Sequence, residues 1–216
     1  MIEALIFDVD GTLVDTNYQH ALAWFRAFRR FDISPAIWRI HRAIGMGGDQ
    51  LVAAVAGDDV EKSHGDDLRS AWTEEFAVFM PQVQPFEGAR PLLEEVKQRG
   101  LKLVLASSGE QEHVEHYLDL IGGRDLADSW TTSADAEETK PAPDLIQTAM
   151  RKMESDNAVM IGDSVWDAEA AGRAGIGTYA VLTGGFSVEE LESAGAKRVY
   201  ESLQELQDDL DAIVAG

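Results

Sequence analysis

The chain has no cysteine, so neither disulfides nor thiol chemistry contributes to its fold or function. Positive charge is scarce: 18 Lys and Arg stand against 39 Asp and Glu, giving a formal net charge of -21. A surface of that sign repels nucleic acid and anionic lipid, which excludes both as expected partners. No stretch approaches the roughly 18 apolar residues of a membrane span, and the start lacks a basic segment followed by a long apolar run. These absences point to a soluble, cytoplasmic protein. With 216 residues, 45% of them hydrophobic, the chain is large enough to bury a sizeable core.

Apolar runs of strand length recur along the chain: Ala4 to Phe7, Leu101 to Ala106, Ala158 to Ile161 and Thr178 to Leu182. Helical patterns separate them. Gly88 to Gly100 has an early proline and a closing glycine, and Pro143 to Met153 and Val165 to Ala174 are amphipathic. Alternation of this kind predicts an α/β fold, a Rossmann-like parallel-sheet core with helices on both faces. Residues 16–84 break the rhythm. Trp24, Phe28 and Phe31 recur at helical spacing, Ala71 to Met80 is amphipathic, and no convincing strand intervenes. The expected organisation is a core of residues 1–15 and 85–216, interrupted by an inserted helical cap domain over 16–84.

Four polar segments follow predicted strands, where open α/β sheets place their ligands. They are Asp8-Val9-Asp10-Gly11-Thr12, Ser107-Ser108-Gly109, Lys140-Pro141 after the strand-like Trp130 to Ser133, and Gly162-Asp163-Ser164-Val165-Trp166-Asp167. Each has an ordinary reading alone: Asp163 and Asp167 as a helix cap and first-turn acid, Ser107 as a cap, Lys140 as a surface lysine. Four in this order are a specific signal. On these segments the chain resembles the haloacid dehalogenase-like superfamily, in the subgroup with a helical cap inserted after the first motif. DVDGTLVDT, the serine of LASSG, the lysine of KPAPD, and GDSVWD resemble its four motifs in turn.

That resemblance implies a Mg²⁺-dependent phosphatase acting on a small phosphorylated metabolite through an aspartyl-phosphate. Asp8 would be the nucleophile. Mg²⁺ would be held by Asp8, Asp163 and the backbone carbonyl of Asp10, relieving the repulsion between carboxylates and phosphate. Hard oxygen donors without cysteine or clustered histidine suit magnesium better than zinc. Asp10 would carry a proton, give it to the leaving alcohol, and then activate water. An acid at this position favours phosphoryl transfer over carbon–halogen cleavage. Thr12, Ser107, Ser108, Gly109 and Lys140 would bind the phosphoryl group, and Asp167 would steady Lys140 or a metal-bound water.

In the predicted cap, His20 resembles a histidine that such phosphatases and sugar phosphomutases carry near the acid, with a packing role as the alternative. Gly45 and Gly47, in Gly45-Met46-Gly47-Gly48, permit close backbone approach to a ligand. Arg42 either binds a second anionic group or is a solvated helix arginine. His113 and His116, with Glu112 and Glu115 interleaved, read as a solvated face, Gly184-Gly185 as a turn, and Gln204 to Asp211 as an exposed helical face. A sugar phosphomutase of the β-phosphoglucomutase type is the alternative enzyme. Receiver-type signalling modules, which also accept phosphate on aspartate, are shorter and lack the insert. The oligomeric state, monomer or homodimer, is open in the sequence.

Overall fold

In the structure, a computed structural model describing residues 2–216, apolar strands lie side by side at the centre. The strands in chain order are β1 (Ala4–Phe7), β2 (Val14–Asp15), β3 (Gln84–Pro85), β4 (Lys102–Ala106), β5 (Ser129–Thr131), β6 (Ala158–Gly162), β7 (Gly177–Val181) and β8 (Ala196–Tyr200). Six of them form one sheet in the order β5-β4-β1-β6-β7-β8, parallel throughout. The expected α/β class and parallel sheet are thus observed. The two-residue strands β2 and β3 pair antiparallel where the chain leaves and re-enters the sheet layer. Neither that short hairpin nor β8 is evident in the sequence.

Because side chains alternate across a strand, each buried strand feeds two cores. Leu5 and Phe7, Leu103 and Leu105, and Val159 and Ile161 enter one apolar cluster. Their neighbours Ala4 and Ile6, Val104 and Ala106, and Ala158 and Met160 enter the other.

The helices are α1 (Asn17–Arg29), α2 (Ile37–Ala43), α3 (Gly48–Ala56), α4 (Asp58–Ala77), α5 (Ala89–Gln98), α6 (Gln111–Ile121), α7 (Gly123–Leu126), α8 (Asp144–Met153), α9 (Val165–Ala174), α10 (Val188–Ala194), α11 (Leu203–Asp208) and α12 (Leu210–Ala215). Helices α5, α6, α11 and α12 contribute to the first cluster, α8 and α9 to the second, so the sheet is covered on both faces. The four helices α1 to α4 follow one another between β2 and β3 with no strand among them. Their contacts come from Trp24 and Phe28 on α1 and from Leu68, Trp72 and Phe76 on α4, all buried.

This geometry brings the ends of β1, β4, β5, β6 and β7 to one edge of the sheet, with α1 to α4 set above it. Phe28 is fully buried on α1 at 5.9 Å from Trp24, ring centre to ring centre. Phe28→Ala is therefore expected to lower unfolding stability by about 3–5 kcal/mol in urea denaturation, the range for a large aromatic removed from a packed site.

Candidate active site

Fully buried Lys140, on the loop after β5, is the centre of the polar edge. Its Nζ is paired with Asp8 Oδ1, lies 2.8 Å from Asp167 Oδ1, and donates to the Ala106 carbonyl at 3.1 Å. Asp8 follows β1 directly and Asp163 follows β6 directly. Asp167 is fixed by α9's first turn: it accepts hydrogen bonds from the backbone N and the Oγ of Ser164 at 3.1 and 2.6 Å. So Asp167 is the expected first-turn acid and also a lysine partner, whereas the residue that caps α9 is Ser164 and not Asp163, because Ser164 Oγ accepts from the Asp167 N.

The carboxylates of Asp8, Asp163 and Asp167 are all buried, with an oxygen of each within 4.8 Å of the others. Thr12 Oγ1 donates to Asp163 Oδ1 at 2.7 Å and lies 3.3 Å from Asp8 Oδ2. Asn17 Nδ2 donates to Asp163 Oδ2 at 2.8 Å, while Asn17 Oδ1 is buried with no partner. The protein's own charges leave this cluster strongly negative, since Lys140 faces three carboxylates. Burial pushes the Asp8 carboxyl well above its ordinary range, with Asp167, Asp163 and Asp10 adding to the rise against Lys140. Burial and then Asp167 push Asp163 up to about 7. Burial alone would lower Lys140, but Asp167 and Asp8 outweigh it and the ammonium holds its proton beyond its ordinary range.

A divalent cation fits this arrangement. The donors are hard oxygens, the uncompensated charge is negative, and the orphaned Asn17 Oδ1 stands beside Asp163. Asp8, Asp163 and Asp167 are the side chains that could hold it. The expected set is Asp8, Asp163 and the backbone carbonyl of Asp10; Asp167 stands with the first two here, while the Asp10 carboxylate points into a different set of groups.

Asp10 Oδ1 meets His20 Nε2 at 2.9 Å and Thr16 Oγ1 at 3.1 Å, and Asp10 Oδ2 accepts from Ser107 Oγ at 2.8 Å. Burial would raise this carboxyl, but the hydrogen bond and charge of His20, then Ser107 and Thr16, hold it below its ordinary range. The expectation is that Asp10 carries a proton during turnover; the side chains around it favour its ionised form. Among the protein's own groups, the Asp8 and Asp163 carboxyls are pushed up and the Asp10 carboxyl is held down. The reason is that Asp10 collects three donors, whereas Asp8 and Asp163 face other carboxylates.

Above these groups opens a cleft of about 290 Å³, with Asp8, Asp10, Ser108 and Gly109 on its floor. Thr12, Ser107, Lys140, Asp163 and Asp167 lie beneath that floor, all nearly inaccessible. Ser107 also accepts from the Gly109 N at 2.9 Å. Gly45, Gly47, His20, Trp24, Trp72 and Arg69 form the cleft's opposite wall. The glycines meet protein as closely as they meet the cleft: a Cβ on Gly45 would lie 2.8 Å from Ser164 Oγ, and Gly47 N donates to Thr139 Oγ1 at 3.0 Å. Arg42 is turned away, paired with Glu190 and lying over the Phe186 ring at 4.0 Å.

Two readings of minor residues change. His113 is buried against Trp72 and Phe76, not solvated, because it shares a helix face with Tyr117 and Ile121 at spacing four; His116 is half-buried. Gly184 is more than a turn, since an added Cβ would overlap the Asp163 carboxylate. Thr16, Asn17, Arg69 and Trp72 join the site with no signal in the sequence beyond their polarity or helical spacing.

Comparison with known proteins decides what constellation this is. Residues 5–181 match the family described as haloacid dehalogenase-like hydrolase. The chain belongs to that family. A hydrolase from Pseudomonas syringae of known structure is 33% identical, superposes with a TM-score of 0.92, and is covered over 99% of its chain by 98% of this one. A validoxylamine A 7'-phosphate phosphatase from Streptomyces hygroscopicus subsp. limoneus is 28% identical, over 82% of this chain and 84% of that protein. A phosphoglycolate phosphatase from Aquifex aeolicus is 26% identical, over 85% and 86% respectively. The protein is thus an enzyme of a phosphatase family, a phosphoric monoester hydrolase. Members of this family generally use a divalent metal, and the buried aspartates here are compatible with one.

The raised carboxyls give a pH signature. Asp163 binds its proton more tightly folded, at about 7, than unfolded, at roughly 3.9. Its stabilising contribution is complete below that lower value and is lost as pH rises through about 7. Chelator-treated protein should therefore melt higher at pH 5 than at pH 8, and Asp163→Asn should flatten the difference.

Proposed function

We propose that this enzyme is a Mg²⁺-dependent phosphatase that hydrolyses a small phosphorylated metabolite through an aspartyl-phosphate on Asp8. The observation that carries the reading is the placement of Asp8 on the cleft floor, held by buried Lys140, with the Asp10–His20 pair beside it.

In the proposed first step an Asp8 oxygen attacks phosphorus, the bond from phosphorus to the ester oxygen breaks, and the departing alkoxide takes a proton at the Asp10 carboxyl. His20 Nε2 lies 2.9 Å from Asp10 Oδ1, within reach of a proton passed along that contact. In the second step water attacks the aspartyl-phosphate, Asp10 accepts its proton, and Asp8 and inorganic phosphate are regenerated. Lys140 spreads positive charge toward the phosphoryl oxygens, and Ser107 with the Ser108 and Gly109 backbone N–H groups donates to them. Asp167 keeps Lys140 aimed, and Thr12 and Asn17 fix Asp163. When bound by Asp8, Asp163 and Asp167, Mg²⁺ supplies the charge that lets an anionic nucleophile approach an anionic phosphate.

Residues 16–84 serve in this reading as a cap over the cleft, shielding the phosphorylated aspartate from bulk water. Two contacts support a closed arrangement: Asp49 of α3 is hydrogen bonded to Thr139, the neighbour of Lys140, and Trp166 Nε1 donates to the Arg42 carbonyl at 3.1 Å. The phosphomutase alternative draws on likeness of fold to distant structures and on no additional group in this cleft.

Two measurements check the proposal. Phosphate release from a panel of esters should require Mg²⁺, vanish in Asp8→Asn, and fall by about 10²–10⁴ in Asp10→Asn, the usual worth of a general acid–base. Millimolar Mg²⁺ added to metal-free protein should raise the melting temperature, because the ion binds the folded cluster and not the unfolded chain.

A further inference from the structure

Each oxygen of the Asp163 carboxylate accepts one side-chain hydrogen bond, from Thr12 or from Asn17. Backbone also packs against it. The loop that follows β7, residues 182–186, passes so close that a Cβ on Gly184 would overlap Asp163 Oδ2 and lie 2.6 Å from the Asp163 carbonyl oxygen. A loop this near limits where the carboxylate can point.

That loop is held in its turn by the inserted helices. His41 Nε2 on α2 lies 3.1 Å from the Gly184 carbonyl; a carbonyl accepts, so this nitrogen carries the proton and donates. The imidazole stacks on Tyr18 of α1, ring centres 4.8 Å apart and planes 11° from parallel. Both rings close on the next residue of the loop: a Cβ on Gly185 would lie 3.1 Å from His41 Cε1 and 3.1 Å from the Tyr18 hydroxyl. Phe186, buried, packs its ring against the Arg42 guanidinium at 4.0 Å. Helix α1 therefore reaches Asp163 directly through Asn17, and α2 reaches it through the loop.

We propose that His41 is a positioning residue for the metal ligand Asp163. Its hydrogen bond to the Gly184 carbonyl seats the 182–186 loop against the carboxylate, so a divalent cation binds tightly while α1 and α2 are docked on that loop. The inference rests on the reading of Asp8, Asp163 and Asp167 as a divalent-cation site. By linkage the coupling runs both ways, and a bound ion favours the docked helices.

The test is Mn²⁺ binding to metal-free protein without substrate, followed by loss of the free ion's paramagnetic resonance signal. Mn²⁺ suits the same oxygen donors as Mg²⁺. His41→Ala should raise the Kd about tenfold, the scale for losing a group that orients a metal ligand. His41→Leu fills the space without a donor and should bind as weakly. His41→Gln offers an amide N–H to the same carbonyl and should restore wild-type affinity. Trp38→Ala, an exposed change on the same helix, should leave the Kd unaltered. The rise in melting temperature on adding Mg²⁺ should be smaller in His41→Ala than in wild type. Wild-type affinity in His41→Ala, no rescue by His41→Gln, or equal weakening in Trp38→Ala would overturn the inference alone. A wild type that binds no Mn²⁺ would overturn the cation-site reading and this one with it.

Discussion

A single buried ammonium organises the site. Lys140 is wholly inaccessible, and a lone charge in that position would be strongly disfavoured. It is tolerated because Asp8, Asp167 and the Ala106 carbonyl surround it. Those partners come from the ends of β1, β4 and the β6–α9 turn, so the ion pairs knit three parts of the sheet edge together. Breaking such a pair from one side leaves an uncompensated buried charge, which costs about 3–5 kcal/mol in known cases. The nucleophile's position is therefore set by the same interaction that closes the sheet edge.

Placing a third carboxylate, Asp163, beside the pair turns a balanced cluster into an anionic one. Fold and function are connected at this point. The excess charge is unfavourable for the protein alone, as the elevated proton affinities of Asp8 and Asp163 show. A divalent cation would remove that penalty, and the same cation would allow an anionic phosphate to approach. Asp10 stands a short distance along the chain but in a different environment, with three donors and no ammonium. Two aspartates of one strand end are thus assigned opposite proton affinities by their neighbours.

Much of this was legible in the sequence because it is carried by local pattern. Continuous apolar runs marked β1, β4, β6 and β7, and Val165 to Ala174 coincides with α9 to the residue. The edge strand β8 was missed because Lys197 and Arg198 are exposed, so it shows no buried run. The motif residues Asp8, Ser107, Lys140 and Asp163 do meet at one edge, as expected from strand ends in a parallel sheet. What could not be read was contact across long separations. Asn17 reaches Asp163 from 146 positions away, and Gly184 needs its missing Cβ only because Asp163 lies against it. The donors around Asp10 were legible only in part: Thr16 and His20 lie within ten positions of it, but Ser107 comes from 97 positions away. His113 was legible and misread, since its spacing from Tyr117 and Ile121 outweighs the neighbouring glutamates.

The most direct test of the account is chemical trapping of the phosphorylated residue. Wild-type protein would be mixed with acetyl phosphate and Mg²⁺, quenched within seconds in acid, reduced with borohydride, and digested for mass spectrometry. Reduction turns an aspartyl-phosphate into homoserine, so conversion at position 8, and nowhere else, is the expected result. Robust phosphate release with Asp8 unconverted, or conversion at a different aspartate, would contradict the assignment of Asp8 as the nucleophile.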